Sequence, residues 1–176
     1  MSKQFLIDMI SDSIARGNVS FEKDILQEKC RELNIKVYEY SDYFSKITSV
    51  ESYFKANQEL LKPENARKLY LPKRSIYTKV SDNAPVKYDL DSCVENSLIA
   101  DGCVIEGSVE NSILFRGVKV GKGAKVKNCI LMQGTVVGDD SEVTYLITDK
   151  NVTIKENHIL TSAPSYPMYI GKGASV

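Results

Sequence analysis

The chain has 176 residues, in which 23 Lys+Arg balance 23 Asp+Glu, so the formal net charge is zero. Neither half is a charged tail, since residues 1–90 hold 15 basic and 13 acidic side chains and residues 91–176 hold 8 and 10. This balance argues against a nucleic-acid-coating protein or a polybasic membrane-surface protein.

Apolar residues make up 43% and charged residues 26% of the chain, a globular composition. No apolar run approaches the roughly 20 residues that span a bilayer. Met1–Phe5 gives too short an apolar stretch before Asp8 for a secretory signal. Cys30, Cys93, Cys103 and Cys129 are spaced by 63, 10 and 26 residues, so no zinc or redox pair is spelled out. They read as small buried apolar residues in a reducing, cytoplasmic setting.

Up to about residue 65 the apolar spacing is mostly helical. Phe5, Leu6, Met9, Ile10 and Ile14 form one stripe and Phe21, Ile25, Leu26 and Cys30 a second, with Gly17-Asn18 as the turn between them. Ile35–Tyr40 alternates and predicts a short strand. Thr48-Ser49-Val50-Glu51 fits a capping box that opens a helix with Val50, Tyr53, Phe54 and Leu61 on its apolar side, ended before Pro63. Residues 66–90, with Pro72, Pro85 and Ser81-Asp82-Asn83, have no sustained period and read as a connector.

From Asn96 onward the chain repeats itself. Asn96–Ile105 recurs as Asn111–Val120, as Asn128–Val137 and, more weakly, as Tyr145–Ile154, at offsets of 15, 17 and 17 residues. In the fourth copy Asn151 stands where the others carry glycine, and Asn is the residue next most tolerant of positive φ. A period this short suits one coil of a β-solenoid, with strands stacked about 4.8 Å apart. Hexads such as Val120-Gly121-Lys122-Gly123-Ala124-Lys125 place an aliphatic residue inside and a small one at a tight corner. Val120 and Ile130 are expected inside the coils. A β-sandwich of short hairpins would not explain the recurring spacing.

The chemistry-bearing motifs are few. Gly121-Lys122 and Gly171-Lys172 do not make a phosphate loop, because Arg116 and Tyr166 stand where its first glycine belongs and glycine replaces its Ser/Thr. The single histidine, His158, lies outside the regular copies. It reads as a loop residue, with a general base of a hexapeptide-repeat acyltransferase as the alternative. Arg116, Lys119, Lys122, Lys125 and Lys127 read as a solvated face, with a surface for phosphorylated ligands as the sharper alternative. No metal-binding cluster appears.

Val50-Glu51-Ser52-Tyr53-Phe54-Lys55-Ala56-Asn57, Ser75–Lys79, and Asn96 to Gly107 continuing through Asn111–Val118 together resemble the ADP-glucose pyrophosphorylases (glucose-1-phosphate adenylyltransferases). Phe5-Leu6-Ile7 and Lys23-Asp24-Ile25 resemble the end of that family's catalytic domain. The resemblance implies a mainly β protein: a left-handed parallel β-helix at 91–176, a connector at 66–90, and at 1–65 a small α/β remnant of a nucleotidyltransferase domain. It also implies that the chain is the C-terminal piece of a longer protein, without the family's glycine-rich nucleotide loop.

Catalytic relatives carry Tyr-Trp-x-Asp-(Val/Ile)-Gly-Thr before the helix, and its Asp helps hold Mg²⁺. Here Tyr43-Phe44-Ser45-Lys46-Ile47-Thr48-Ser49 puts Lys46 at that carboxylate, and a cation cannot ligate Mg²⁺. The chain therefore resembles the non-catalytic regulatory subunit type of bacterial glycogen synthesis, with no catalytic residues or cofactor of its own. The implied partners are a catalytic subunit or a second copy. Neither nucleic acid nor a membrane is expected as a partner. The resemblance further implies a phosphorylated small-molecule effector. A family arginine in Leu-Phe-x-Arg-Val is matched, one residue displaced, by Arg116 in Leu114-Phe115-Arg116-Gly117-Val118, with Lys119 as its substitute. On a strand that displacement would turn the side chain to the opposite face.

Overall fold

A computed structural model describes residues 2–72, 74–80 and 82–176. Ser81 of the connector and Met1 of the N-terminal stretch fall outside the described residues. The chain forms two compact units, Met1–Ser41 and Asp42–Val176.

The first unit is helical. Helix α1 (Lys3–Ala15) starts where Ser2 Oγ accepts the Phe5 N–H at 3.3 Å, and it ends at Gly17 with φ 77°. A π-helical turn, Phe21–Gln27, follows, with Asp24 accepting the N–H groups of Val19 and Ser20. Only Met9 and Ile25 are buried among the two apolar stripes, while Phe5, Ile10, Ile14 and Phe21 stay exposed. Ile35–Tyr40 forms no strand, and Val37 and Tyr38 are 94% and 86% exposed. Alternation alone does not make a strand. The backbone needs an edge to pair with, and the described residues of Met1–Ser41 form no strand to supply one. The expected α/β remnant at 1–65 is thus helices without strands among the described residues.

The second unit opens with α2 (Val50–Glu59) and α3 (Pro63–Leu69), the latter with proline in its first turn. The capping box sits one residue later than the sequence suggests. Ser49 is the N-cap, accepting the Ser52 N–H at 3.1 Å, and the Ser52 hydroxyl accepts the Ser49 N–H at 2.8 Å. Serine at both ends closes the box more compactly than Thr48 with Glu51 would.

The solenoid then winds through five coils of three short strands. The first coil holds β1 (Lys87–Tyr88), β2 (Cys93–Glu95) and β3 (Leu98–Ile99), and the second β4 (Val104–Ile105), β5 (Ser108–Glu110) and β6 (Ile113–Leu114). The third holds β7 (Lys119–Val120), β8 (Lys125–Lys127) and β9 (Ile130–Leu131), and the fourth β10 (Val136–Val137), β11 (Glu142–Thr144) and β12 (Leu146–Thr148). Strands β13 (Thr153–Ile154), β14 (Ile159–Thr161) and β15 (Met168–Ile170) make the fifth. Equivalent strands stack into three parallel five-stranded sheets, so the three faces enclose one core.

The register reproduces the sequence repeat: Leu98 pairs with Ile113, Ile113 with Ile130, and Ile130 with Ile147. Corners are turned by residues with positive φ. Asn96, Asn111, Asn128 and Tyr145 make one column at 42°, 48°, 51° and 55°, and Asn151 adopts 58° in the glycine column. The two corner columns are therefore what the repeated Asn and Gly encode.

Inside run columns such as Ile105–Val120–Val137–Ile154, all essentially inaccessible. Ile130 is not among them. It points outward from the β3-β6-β9-β12-β15 sheet and is buried because Phe54 of α2 covers it together with Ile147, flanked by Tyr53 and Tyr145. The cysteines divide: Cys103 and Cys129 are buried in the core, and Cys30 and Cys93 are exposed. Among the described residues no helix is long and apolar enough to cross a membrane.

Candidate functional site

Arg116 lies in the turn between β6 and β7 rather than on a strand. In a turn, strand alternation does not decide which face its side chain takes. Its Nε donates to Asp101 Oδ1 at 3.0 Å, and the two side chains are 39% and 35% exposed. Asp101 holds the same repeat position one coil earlier, so the ion pair is a rung between stacked corners. Backbone bonds continue that column, from Gly117 N–H to Asp101 O and from Gly134 N–H to Arg116 O. Asn83 Nδ2 donates to the other carboxylate oxygen at 2.6 Å. The hydrogen bond from Asn83, followed by the contact with Arg116, holds the Asp101 carboxyl below its usual range.

Lys119 begins β7 on the adjacent face, exposed, in a column between Val104 and Val136. It makes no ion pair among the described residues. Arg116 and Lys119 thus follow one another along one coil, across a corner. The other basic residues diverge. Lys122 sits at the next corner, and Lys125 and Lys127 face out from β8, where Lys127 pairs with Glu110 at 3.0 Å. The series is spread around the prism and does not make one face. What sequence reading missed is the carboxylate partner. Aligning the copies puts Asp101 directly above Arg116, which is the signal that could have found it.

Lys46 is exposed in an irregular segment ahead of α2. Nearby, the Tyr43 hydroxyl donates to Glu59 Oε2 at 3.3 Å, and burial, then the Glu59 charge, raise the Tyr43 pKa. The residues here do not fit Mg²⁺. The ammonium of Lys46 cannot ligate a hard cation, and the described residues gather no set of three carboxylate, histidine or cysteine side chains.

His158 is half-buried ahead of β14, with Nδ1 2.8 Å from the Glu156 carbonyl oxygen. Its backbone N–H donates to Ser141 Oγ, and its carbonyl accepts from Glu142, so the residue serves the coil ladder. No carboxylate orients the ring among its hydrogen bonds, which weighs against a general base.

Residues 84–164 match the family model described as GlmU-like, C-terminal hexapeptide. The chain is 44% identical, over 98% of its own length, to "Glycogen biosynthesis protein GlgD" of Bacillus subtilis (strain 168), and 42% identical over 72% of its length to the protein of that name from Geobacillus stearothermophilus. The chain belongs to the GlgD/ADP-glucose pyrophosphorylase family. It is also 36% identical over 71% of its length to "Glucose-1-phosphate adenylyltransferase" of Geobacillus stearothermophilus. It spans 50% of the first of these family members, 36% of the second and 32% of the third. The GlgD match reaches across both compact units, whereas the hexapeptide model covers most of the solenoid.

Proposed function

We propose that the chain is the regulatory and assembly portion of a glucose-1-phosphate adenylyltransferase system, making ADP-glucose for glycogen in the cytoplasm, and is itself non-catalytic. The observation that carries this is Lys46 at the position where the family's resemblance expects a metal-holding carboxylate. Similarity to GlgD over nearly the whole chain supports it. The partner is a catalytic subunit of the same family, a second copy, or both. The solenoid suits assembly because its outer strand edges and exposed apolar residues, including Val94 and Leu98, call for cover.

Arg116 and Lys119 are the proposed effector contacts. The Nε edge of Arg116 is held by Asp101, so a phosphate would be met by the other guanidinium nitrogens and by the free ammonium of Lys119. The test mixes ATP, glucose 1-phosphate and Mg²⁺ with the purified chain, alone and with a catalytic subunit. No pyrophosphate release alone and co-elution with the subunit are expected. Pyrophosphate formed by the chain alone refutes the proposal. The second reading, a portion of a catalytically active adenylyltransferase, is favoured by the relatives of that name at 36% and 34% identity. Turnover by the full-length parent in the absence of any other subunit would establish it.

A further inference from the structure

The return from β14 to β15 breaks the period of the solenoid. Ile147 pairs with Tyr169, 22 residues on, where earlier coils return after 15 or 17. The added residues form a loop, Ser162–Pro167, closed on itself by the Tyr166 N–H bonding to the Ala163 carbonyl at 3.0 Å and by the Ser162 hydroxyl donating to the Tyr166 carbonyl. This loop and the start of α2 are the two walls of a cleft of about 490 Å³.

Both walls hang on one residue. The ring of Tyr145 meets Phe54 of α2 with centroids 6.1 Å apart and planes at 58°, and its carbonyl accepts the Met168 N–H at 3.0 Å. Tyr145 does this from φ 55°, where the three coils before it use asparagine. A bulky residue in left-handed conformation is a costly exception to that column. It holds the helix and the loop in fixed relation, so the cleft is formed before anything enters it.

The lining states the chemistry. Val50, Met168 and the tyrosines Tyr166 and Tyr169 supply apolar and aromatic surface, and Glu51 and Ser165 supply hydrogen-bonding oxygens. Among the described residues no Lys or Arg lines the cleft, and the Glu51 carboxylate repels anions, which disfavours a phosphorylated ligand. The N-cap of α2 is already satisfied by the Ser49–Ser52 box and asks for no anion either. What fits is a neutral ring with one face of C–H groups for the tyrosines and hydroxyls for the carboxylate and serine, which is a pyranose. We propose that this cleft is a binding site for a neutral saccharide, separate from the phosphate-binding role proposed above for Arg116 and Lys119.

The test is a titration of the chain with maltotriose, followed by NMR of the Met168 and Val50 methyl groups. Saturable shifts at both are expected, with Tyr166→Ala and Tyr169→Ala each weakening binding about tenfold. Tyr169→Phe, which keeps the ring and loses only its hydroxyl bond to Asp149, should bind like the parent. Arg116→Ala should leave the titration unchanged, which separates this site from the effector proposal. Glucose 1-phosphate should shift these methyls less than methyl α-glucoside, and Glu51→Gln should narrow that gap. Absence of saturable shifts overturns the proposal. So does binding retained by the Tyr166→Ala/Tyr169→Ala double variant, tighter binding of the phosphorylated sugar at the same methyls, or saturation by a quaternary ammonium probe and not by sugar.

Discussion

Truncating Val120 tests the register of the solenoid against its nearest exposed neighbour. Val120 is 1% exposed and sits in an interior column between Ile105 and Val137. Val120→Ala removes two methyl groups from water-free surroundings, at about 0.8 kcal/mol each. The ladder bonds of the flanking coils, such as Glu106 N–H to Val120 O and Gly121 N–H to Val137 O, hold the strand spacing fixed. The site therefore cannot collapse to fill the gap. A residual cavity of roughly 50 Å³ adds about 1.2 kcal/mol. The expected cost is about 3 kcal/mol, large against ordinary domain stabilities. Lys119→Ala, one residue earlier on the same strand with its side chain in solvent, should stay within about 0.5 kcal/mol. Urea denaturation followed by far-ultraviolet circular dichroism measures both, with the slope on denaturant compared to detect altered compactness. Equal losses from the two substitutions would refute the assignment of inward and outward positions.

Four further outcomes are expected. Gly138→Ala should cost more than about 2 kcal/mol in the same assay, because an added Cβ would lie 2.5 Å from the Glu156 nitrogen of the next coil; Asn151→Gly, at φ 58°, should cost little. Phe54→Ala should raise amide exchange throughout α2 while leaving the interior columns protected, since Phe54 caps only the outward pair Ile130 and Ile147. Burial pushes the Cys129 thiol up to about 12, so its protonated form belongs to the folded state. The stability this gives is complete below about pH 8.5 and falls as pH rises toward 12, by up to about 1.4 kcal/mol per pH unit; Cys129→Ala should flatten that decline in denaturation midpoints. If the proposed effector role holds, Arg116→Ala and Lys119→Ala in the full-length parent, assayed together with a catalytic subunit of the family, should each weaken the response to inorganic phosphate and sugar phosphates, and an unchanged response in both variants would refute it.

The repeat was legible because each coil must satisfy two local demands, an aliphatic side chain turned inward and a corner with positive φ. Both recur wherever the coil does, so Asn96, Asn111 and Asn128 mark one corner and the glycines and Asn151 another. The same local logic located α2 to within a residue, although serine rather than threonine caps it. Family membership could be read too, because motifs such as Val50–Asn57 survive as contiguous strings.

Contacts from another part of the chain could not be read this way. In Ile130-Leu131 two aliphatic residues of equal hydrophobicity point to opposite sides of one strand, and only the arrival of Phe54 decides that the outward one is buried as well. Ile35–Tyr40 alternates like a strand but stays irregular, since pairing needs a partner edge that local sequence does not supply. Arg116 could be named as a phosphate-binding candidate from the family resemblance of Leu114–Val118 and from its guanidinium. The repeat places Asp101 one coil before it, but that its Nε is held there at hydrogen-bond distance is decided only when 15 residues of chain wind into a coil that stacks one corner on the next.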